Sequence, residues 1–144
     1  MLVGEHAHTI DEKNRLTLPA KFRRAFAGGV VVSRGIERCL YAYPRDQWAA
    51  TVEARLRELD PLSREGRLMQ RYFYSGAAEA ELDKQGRVMV PSSLGEYAGL
   101  GKEVVVAGIR DHLEIWDRAS WRAHLDEIEG SAEDVAERLA TRRD

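Results

Sequence analysis

Residues 11–19, DEKNRLTLP, decide the fold of this chain, because residues 83–91, DKQGRVMVP, repeat them 72 positions later. Asp, Arg and Pro return at the same places, with apolar residues at the first and third positions between Arg and Pro. The similarity continues beyond the proline at a spacing of 73, where Gly35-Ile36 corresponds to Gly108-Ile109. About 40 residues are therefore duplicated, and two copies predict two similar lobes in one fold, since a solenoid needs three or more units.

Each copy predicts the same order of elements: strand, turn, strand, short helix, strand, strand. Asn14 and Gly86 occupy equivalent places in the turn. Both residue types adopt positive φ readily, so a hairpin fits both copies. Pro19 and Pro91 stand where a helix begins, because their φ is already fixed at a helical value.

An aspartate stands four residues before an arginine in each copy. The pairs are Asp11 with Arg15 and Asp83 with Arg87, and the tight turn between them allows a short ion pair. Because the pattern occurs in both halves, it favours a brace that both hairpins share; we assign this role to Asp11, Asp83 and Arg87. Two paired carboxylates also occur in aspartic proteases. Here the neighbouring arginine should hold each carboxyl pKa low, so we expect no catalytic residue, no enzyme activity and no cofactor.

The pattern D-x-x-x-R-[apolar]-x-[apolar]-P, followed by G-I-x-x-x-L-x-x-[aromatic], resembles the AbrB/SpoVT group of swapped-hairpin proteins. Two copies in one chain, together with Gly4 and HTID at residues 8–11, resemble the MraZ family of bacterial transcriptional regulators to about residue 128. Asn14 stands where this family usually has glycine, and asparagine can take the same backbone conformation. The resemblance implies a mostly β, α+β fold, in which two interleaved hairpin repeats form a pseudo-two-fold barrel with helices outside it.

The resemblance also implies a function. Members of the family are DNA-binding transcription regulators in the cytoplasm, at the nucleoid. They bind short direct repeats in the promoter of their own cell-division and cell-wall operon, and they assemble into ring-shaped homo-oligomers. Arg15 matches the arginine of the family's first DNA-binding motif.

The distribution of charge points to the first copy as the part that contacts DNA. Residues 1–76 hold 13 basic and 9 acidic side chains, whereas residues 77–144 hold 9 and 15. Arginine can read guanine O6 and N7 with its planar fork, while lysine mainly supplies charge to phosphates. We therefore expect Arg15, with Lys13, to enter the major groove, and Lys21, Arg23 and Arg24 to hold flanking phosphates. The alternative is an oligomeric scaffold or antitoxin-like protein, whose basic patch binds an acidic protein partner.

The rest of the chain is divided by its apolar spacing. The predicted units are a first repeat at 5–48, a helical connector at 49–76, a second repeat at 77–121 and a helical tail at 122–144. Helices are predicted at 45–59 and 62–74 in the region of the connector. Gly130 is expected to divide the tail into two helices, and residues 141–144 are expected to fray.

The sequence gives little support for a disulfide-bonded, a metal-binding or a membrane-spanning protein. The single cysteine, Cys39, excludes an internal disulfide and fits a reducing cytosol. His6 and His8 fall on one face of the first predicted strand and could bind a metal, but no third ligand is near them in sequence. No run approaches the roughly 18 apolar residues that a membrane span needs.

Overall fold

The computed structural model describes residues 1–142 of the chain. The strands are β1 (Leu2–Thr9), β2 (Arg15–Thr17), β3 (Val30–Arg34), β4 (Leu40–Pro44), β5 (Ala78–Ala80), β6 (Arg87–Met89), β7 (Glu103–Arg110) and β8 (Leu113–Asp117). Six of them form an antiparallel sheet with the order β1-β7-β8-β4-β3-β5, and a separate two-stranded ribbon pairs β2 with β6.

The two repeats are interleaved rather than placed side by side. Strand β1 of the first repeat pairs with β7 of the second, and β5 of the second repeat pairs with β3 of the first. The remaining cross-repeat pairs, β2 with β6 and β4 with β8, join equivalent strands across a pseudo-two-fold axis. This arrangement confirms the predicted α+β fold built from two swapped hairpin repeats.

Helices connect and flank the strands. A 3-10 helix, Ala20–Phe26, follows β2, and an α-helix follows β6 at the equivalent place. The α-helices are α1 (Arg45–Trp48), α2 (Ala54–Arg57), α3 (Arg64–Tyr74), α4 (Ser92–Tyr97) and α5 (Arg118–Thr141). A π-helical segment, Ala49–Glu53, joins α1 to α2, so the helix predicted at 45–59 changes its hydrogen-bond register midway. None of the helices within residues 1–142 has the length and apolar character that a membrane span requires.

The sheet separates two apolar clusters, because successive side chains of a strand point to opposite faces. On one face, Val30 and Val32 of β3 pack with Leu16 and Val88 of the ribbon. On the other face, Val31 packs with the connector helices through buried Trp48, Leu56 and Phe73. The ribbon and the connector therefore lie on opposite sides of the sheet.

The tail differs from the prediction at Gly130. Helix α5 runs without interruption from Arg118 to Thr141, so the expected break is wrong. A glycine inside a helix costs only about 1 kcal/mol relative to alanine, which is too little to end a helix of 24 residues. Of the tail expected to fray, residues 143–144 lie outside the described residues, and Thr141 is still helical.

Candidate nucleic-acid interface

The outward face of the β2–β6 ribbon is the first feature of the candidate site. Leu16 and Val88 point into the core, with exposures of 0% and 1%. Their neighbours along each strand therefore point outward, and the register pairs Arg15 with Met89 and Thr17 with Arg87. We call these four side chains, Arg15, Thr17, Arg87 and Met89, the ribbon face. Sequence reasoning placed the two arginines in separate halves of the protein, whereas the structure brings both onto one face.

The first turn fixes Arg15 through a network centred on Asp11. Oδ1 of Asp11 accepts hydrogen bonds from the backbone N–H groups of Lys13 and Arg15, both at 2.9 Å. Oδ2 accepts from Nε of Arg15 at 2.8 Å. The backbone N–H of Arg15, followed by its side chain, lowers the pKa of Asp11 below its usual value. Asn14 closes the turn with φ of 59°, as its predicted equivalence to glycine requires.

The second turn repeats this geometry around Asp83. Oδ1 accepts from the N–H groups of Gln85 and Arg87 at 2.9 Å, and Oδ2 accepts from Nε of Arg87 at 2.6 Å. The pKa of Asp83 is lowered by the same causes in the same order. The arginine side chains have similar exposures, 29% for Arg15 and 25% for Arg87. Their contacts give no reason to assign one arginine to DNA and the other to the brace.

In both turns the aspartate holds the arginine by Nε alone. Within residues 1–142, the two terminal nitrogens of each guanidinium make no hydrogen bond. These nitrogens form the part of the fork that can bind two acceptors side by side. The site is therefore two guanidinium groups, oriented by carboxylates, on one solvent-facing surface.

The interleaving changes where the other basic residues lie. Arg23 follows the first hairpin in sequence, but its side chain packs against the second turn, where a Cβ added to Gly86 would overlap Nε of Arg23. The same Nε donates to the carbonyl oxygen of Leu18 at 3.0 Å. The structure therefore separates Arg23 from the first turn and brings it to the second, because each turn lies against the helix of the other repeat.

The remaining residues of the expected basic patch are spread over the surface. Lys13 is exposed in the first turn, and Arg24 is exposed near the end of the 3-10 helix. Lys21 points back toward β1, with Nζ 5.2 Å from the centre of the Phe22 ring and 3.5 Å from where a Cβ on Gly4 would lie. The other four basic residues of the expected patch therefore do not all lie beside Arg15.

A cleft lies beside the first turn, at the position equivalent to the one that the Arg23 side chain occupies beside the second turn. Its volume is about 1050 Å³, and its lining includes Asn14, Arg15, Gly95 and Lys102. Gly95 stands 72 positions after Arg23, at the equivalent place in α4, and it has no side chain to fill the space. The two ends of the ribbon therefore differ in shape and in charge, although their turns are alike.

The two histidines of β1 are the residues that the sequence identified as possible metal ligands. His6 packs edge-on against Phe22, with ring centres 5.3 Å apart. The pKa of His8 is lowered by burial first, and then by the neighbouring His6 and Arg23. Across residues 1–142, no group of three or more His, Cys, Asp or Glu side chains is arranged to hold a metal ion.

Sequence reasoning did not select Thr17, Met89 or Arg87 as parts of a binding face. The signal was present in the apolar alternation of residues 16, 18, 88 and 90, which leaves residues 15, 17, 87 and 89 pointing outward. What the sequence could not show is that β2 and β6 pair with each other. That pairing turns two separate alternations into one surface.

Comparison with known proteins agrees with the duplicated pattern. A family model described as "MraZ protein, putative antitoxin-like" matches residues 1–71 and again residues 73–143. A protein of Acetivibrio thermocellus named "Transcriptional regulator MraZ" is 39% identical over 140 residues, which cover 97% of each chain. A protein of Moorella thermoacetica with the same name is 43% identical over 139 residues, which cover 96% of each chain.

Proposed function

The chain belongs to the MraZ family, and on that premise we propose that it is a sequence-specific DNA-binding regulator of transcription. The observation that carries the proposal is the ribbon face, where Asp11 and Asp83 orient two arginines toward solvent. The proposal gives the protein no catalytic role and no cofactor.

The ribbon face suits the major groove of DNA. That groove is about 12 Å wide and admits a two-stranded β-ribbon. Each aspartate holds Nε of its arginine, which leaves the terminal nitrogens available for guanine O6 and N7. Arg15 and Arg87 would then each read a guanine, and their fixed orientation lowers the entropy lost on binding. This proposal adds Arg87 to the DNA-contacting residues and keeps its role as a brace.

Phosphate contacts would come from the basic residues around the turns. Lys13 in the first turn and Lys84 in the second flank the ribbon. Arg23 is held beside the second turn, with Lys21 and Arg24 on the same short helix. Such contacts act over about a Debye length, roughly 8 Å at physiological salt, so an acidic tail elsewhere does not cancel them.

The finer part of the proposal concerns the target and the assembly. We propose that the protein acts in the cytoplasm at the nucleoid, on the promoter of its own cell-division and cell-wall operon. One ribbon contacts too few bases to select a promoter by itself. A ring-shaped homo-oligomer bound to direct repeats would gain affinity through effective concentration, without a new type of contact.

A gel-shift titration with the protein's own upstream DNA tests the proposal. The wild-type protein should prefer this duplex over an unrelated one, and its affinity should fall steeply between two salt concentrations. Arg15→Ala and Arg87→Ala should each weaken binding by about tenfold or more, since one bidentate contact to guanine supplies about 1–3 kcal/mol of discrimination. Arg57→Ala is the matched control, because Arg57 is exposed on the connector side of the sheet.

Two outcomes would contradict the proposal. Unchanged affinity in both ribbon variants, with wild-type secondary structure by circular dichroism, would remove the ribbon face as the DNA-binding surface. Absence of any duplex preference in the wild type would favour the second candidate, an antitoxin-like or scaffold protein whose basic residues bind an acidic protein. We retain this second candidate because the matching family is described as "putative antitoxin-like".

A further inference from the structure

The ribbon face is symmetric in its arginines but not in its other two side chains. The pseudo-two-fold relation maps Arg15 onto Arg87 and Thr17 onto Met89, each 72 positions apart. The strand register then places Met89 directly opposite Arg15, and Thr17 directly opposite Arg87. Each arginine therefore has a different neighbour across the ribbon.

Met89 has an apolar side chain that does not pack into the hydrophobic core. Its exposure is 50%, whereas Val88 and Val90 on either side of it are buried at 1% and 2%. It lies on the face that carries both guanidinium groups, where a polar residue would cost nothing. An apolar group at this place fits a partner that also presents an apolar group there. In the major groove, the C5-methyl of thymine is that group.

We propose that Met89 contacts the methyl group of a thymine next to the guanine read by Arg15, so that the ribbon reads DNA in one direction. This inference rests on the proposed DNA-binding function and deepens it. Residues directly opposite on paired strands lie about 4.5–5.5 Å apart. That separation lies between one and two times the rise of about 3.4 Å between successive bases, so the flexible side chains of Arg15 and Met89 would be able to reach neighbouring base pairs.

Thr17 gives Arg87 a different neighbour. Its side chain is shorter than that of methionine and is half-buried on the ribbon. Threonine also carries a methyl group that can contact thymine, but this shorter side chain reaches less far into the groove, so we expect the base pair beside Arg87 to be read with weaker dependence on a methyl group. A fully symmetric ribbon would select a palindrome, whereas one with unlike neighbours selects a site that has a direction. Direct repeats are sites of that kind.

The two ends of the ribbon also differ from each other, in the charged residues that lie beside them. Arg23 packs beside the second turn, near Arg87. At the first turn the equivalent position holds Gly95 and an open cleft, whose lining carries the acidic Glu12 and Glu96 as well as the basic Lys13 and Lys102, so that these charges balance. The charge that holds phosphates is therefore unequal at the two ends, independently of Met89.

Replacement of thymine by deoxyuridine tests the inference, because it removes the methyl group and leaves every hydrogen-bonding atom in place. The probe is a duplex that the wild-type protein selects from a random library, with its thymines replaced one at a time. We expect one replacement to weaken wild-type binding about fourfold, the effect of losing one buried methyl group. Met89→Ala should bind the thymine and uracil duplexes equally.

The exchange variant Thr17→Met with Met89→Thr provides the matched control. It keeps the composition of the ribbon face, so we expect the uracil-sensitive position to move to the other side of the site's centre. If this variant melts well below the wild type, Met89→Thr alone serves, and it should reduce the sensitivity to uracil at that position without creating a second sensitive position.

The outcomes separate this inference from the proposed function. A wild-type protein that selects guanines but tolerates uracil at every position overturns the role of Met89 and leaves the function standing. A sensitive position that stays in place after the exchange also overturns it. Failure to select any duplex sinks both proposals.

Discussion

Gly86→Ala tests whether the second turn and Arg23 form one unit. Gly86 has φ of +77°, and a Cβ there would overlap the side chain of Arg23 at Nε. The equivalent Asn14 has φ of 59° and already carries a side chain. Gly95 stands where an equivalent of Arg23 would approach it. The two turns therefore share a backbone conformation but differ in what packs against them.

The magnitudes follow from those contacts. A residue with a Cβ in the left-handed region costs about 1–2 kcal/mol. Gly86→Ala also displaces Arg23 from the carbonyl of Leu18, and a hydrogen bond from a charged donor contributes about 1.5–3 kcal/mol. Because Arg23 is half-exposed, we take the lower end and expect a total loss of about 3 kcal/mol. Asn14→Ala should cost about 1 kcal/mol, since asparagine tolerates this conformation better than alanine does.

Urea denaturation followed by circular dichroism measures these losses, at one protein concentration for all variants because assembly affects apparent stability. In a double-mutant cycle, Arg23→Ala should remove part of the effect of Gly86→Ala, leaving an interaction energy of about 1–2 kcal/mol. Equal losses for Gly86→Ala and Asn14→Ala, or strict additivity with Arg23→Ala, would refute the reasoning.

Three further predictions follow from the same structure. The lowered pKa of Asp83 means that its carboxylate stabilises the fold above its unfolded pKa of about 3.9, and that this contribution is lost as the pH falls through the lower folded value. The difference in unfolding free energy between wild type and Asp83→Asn should therefore be constant from about pH 7 to pH 5 and shrink below about pH 4; a difference that grows in acid would contradict this. Burial raises the pKa of the Cys39 thiol to about 12, with Glu114 and Glu37 adding to the effect, so native protein at pH 8 should react with a thiol reagent only after urea is added. A Cβ added at Gly130 would meet no atom within 4 Å, so Gly130→Ala should stabilise α5 by about 1 kcal/mol. This gain should appear as slower amide exchange around residue 130, and unchanged exchange there would count against a continuous helix.

The duplicated residues predicted two similar lobes, and the resemblance to swapped-hairpin proteins implied that these lobes are interleaved in an α+β fold. Three features agree with one architecture: the apolar alternation of residues 16, 18, 88 and 90, the proline after each hairpin, and the turn residues Asn14 and Gly86. The continuous α5 was not predicted, because a glycine in a helix costs little when no competing turn is present. The position of Arg23 was also missed, since strand exchange places it against residues more than 60 positions away in sequence. Composition and spacing report neighbours along the chain, and the candidate site depends on neighbours across the pseudo-two-fold axis.

The strand exchange described above also determines how the chain can be divided. A cut within the connector would leave β1 without β7 and β3 without β5, so neither piece would complete its own sheet. The two pieces are copies of one another, so each piece contains strands equivalent to the ones that it loses. We therefore expect the isolated N-terminal piece to fold only by associating with a second molecule of itself, and the intact chain to behave as a covalently tethered dimer whose two members have been free to diverge in their surface residues.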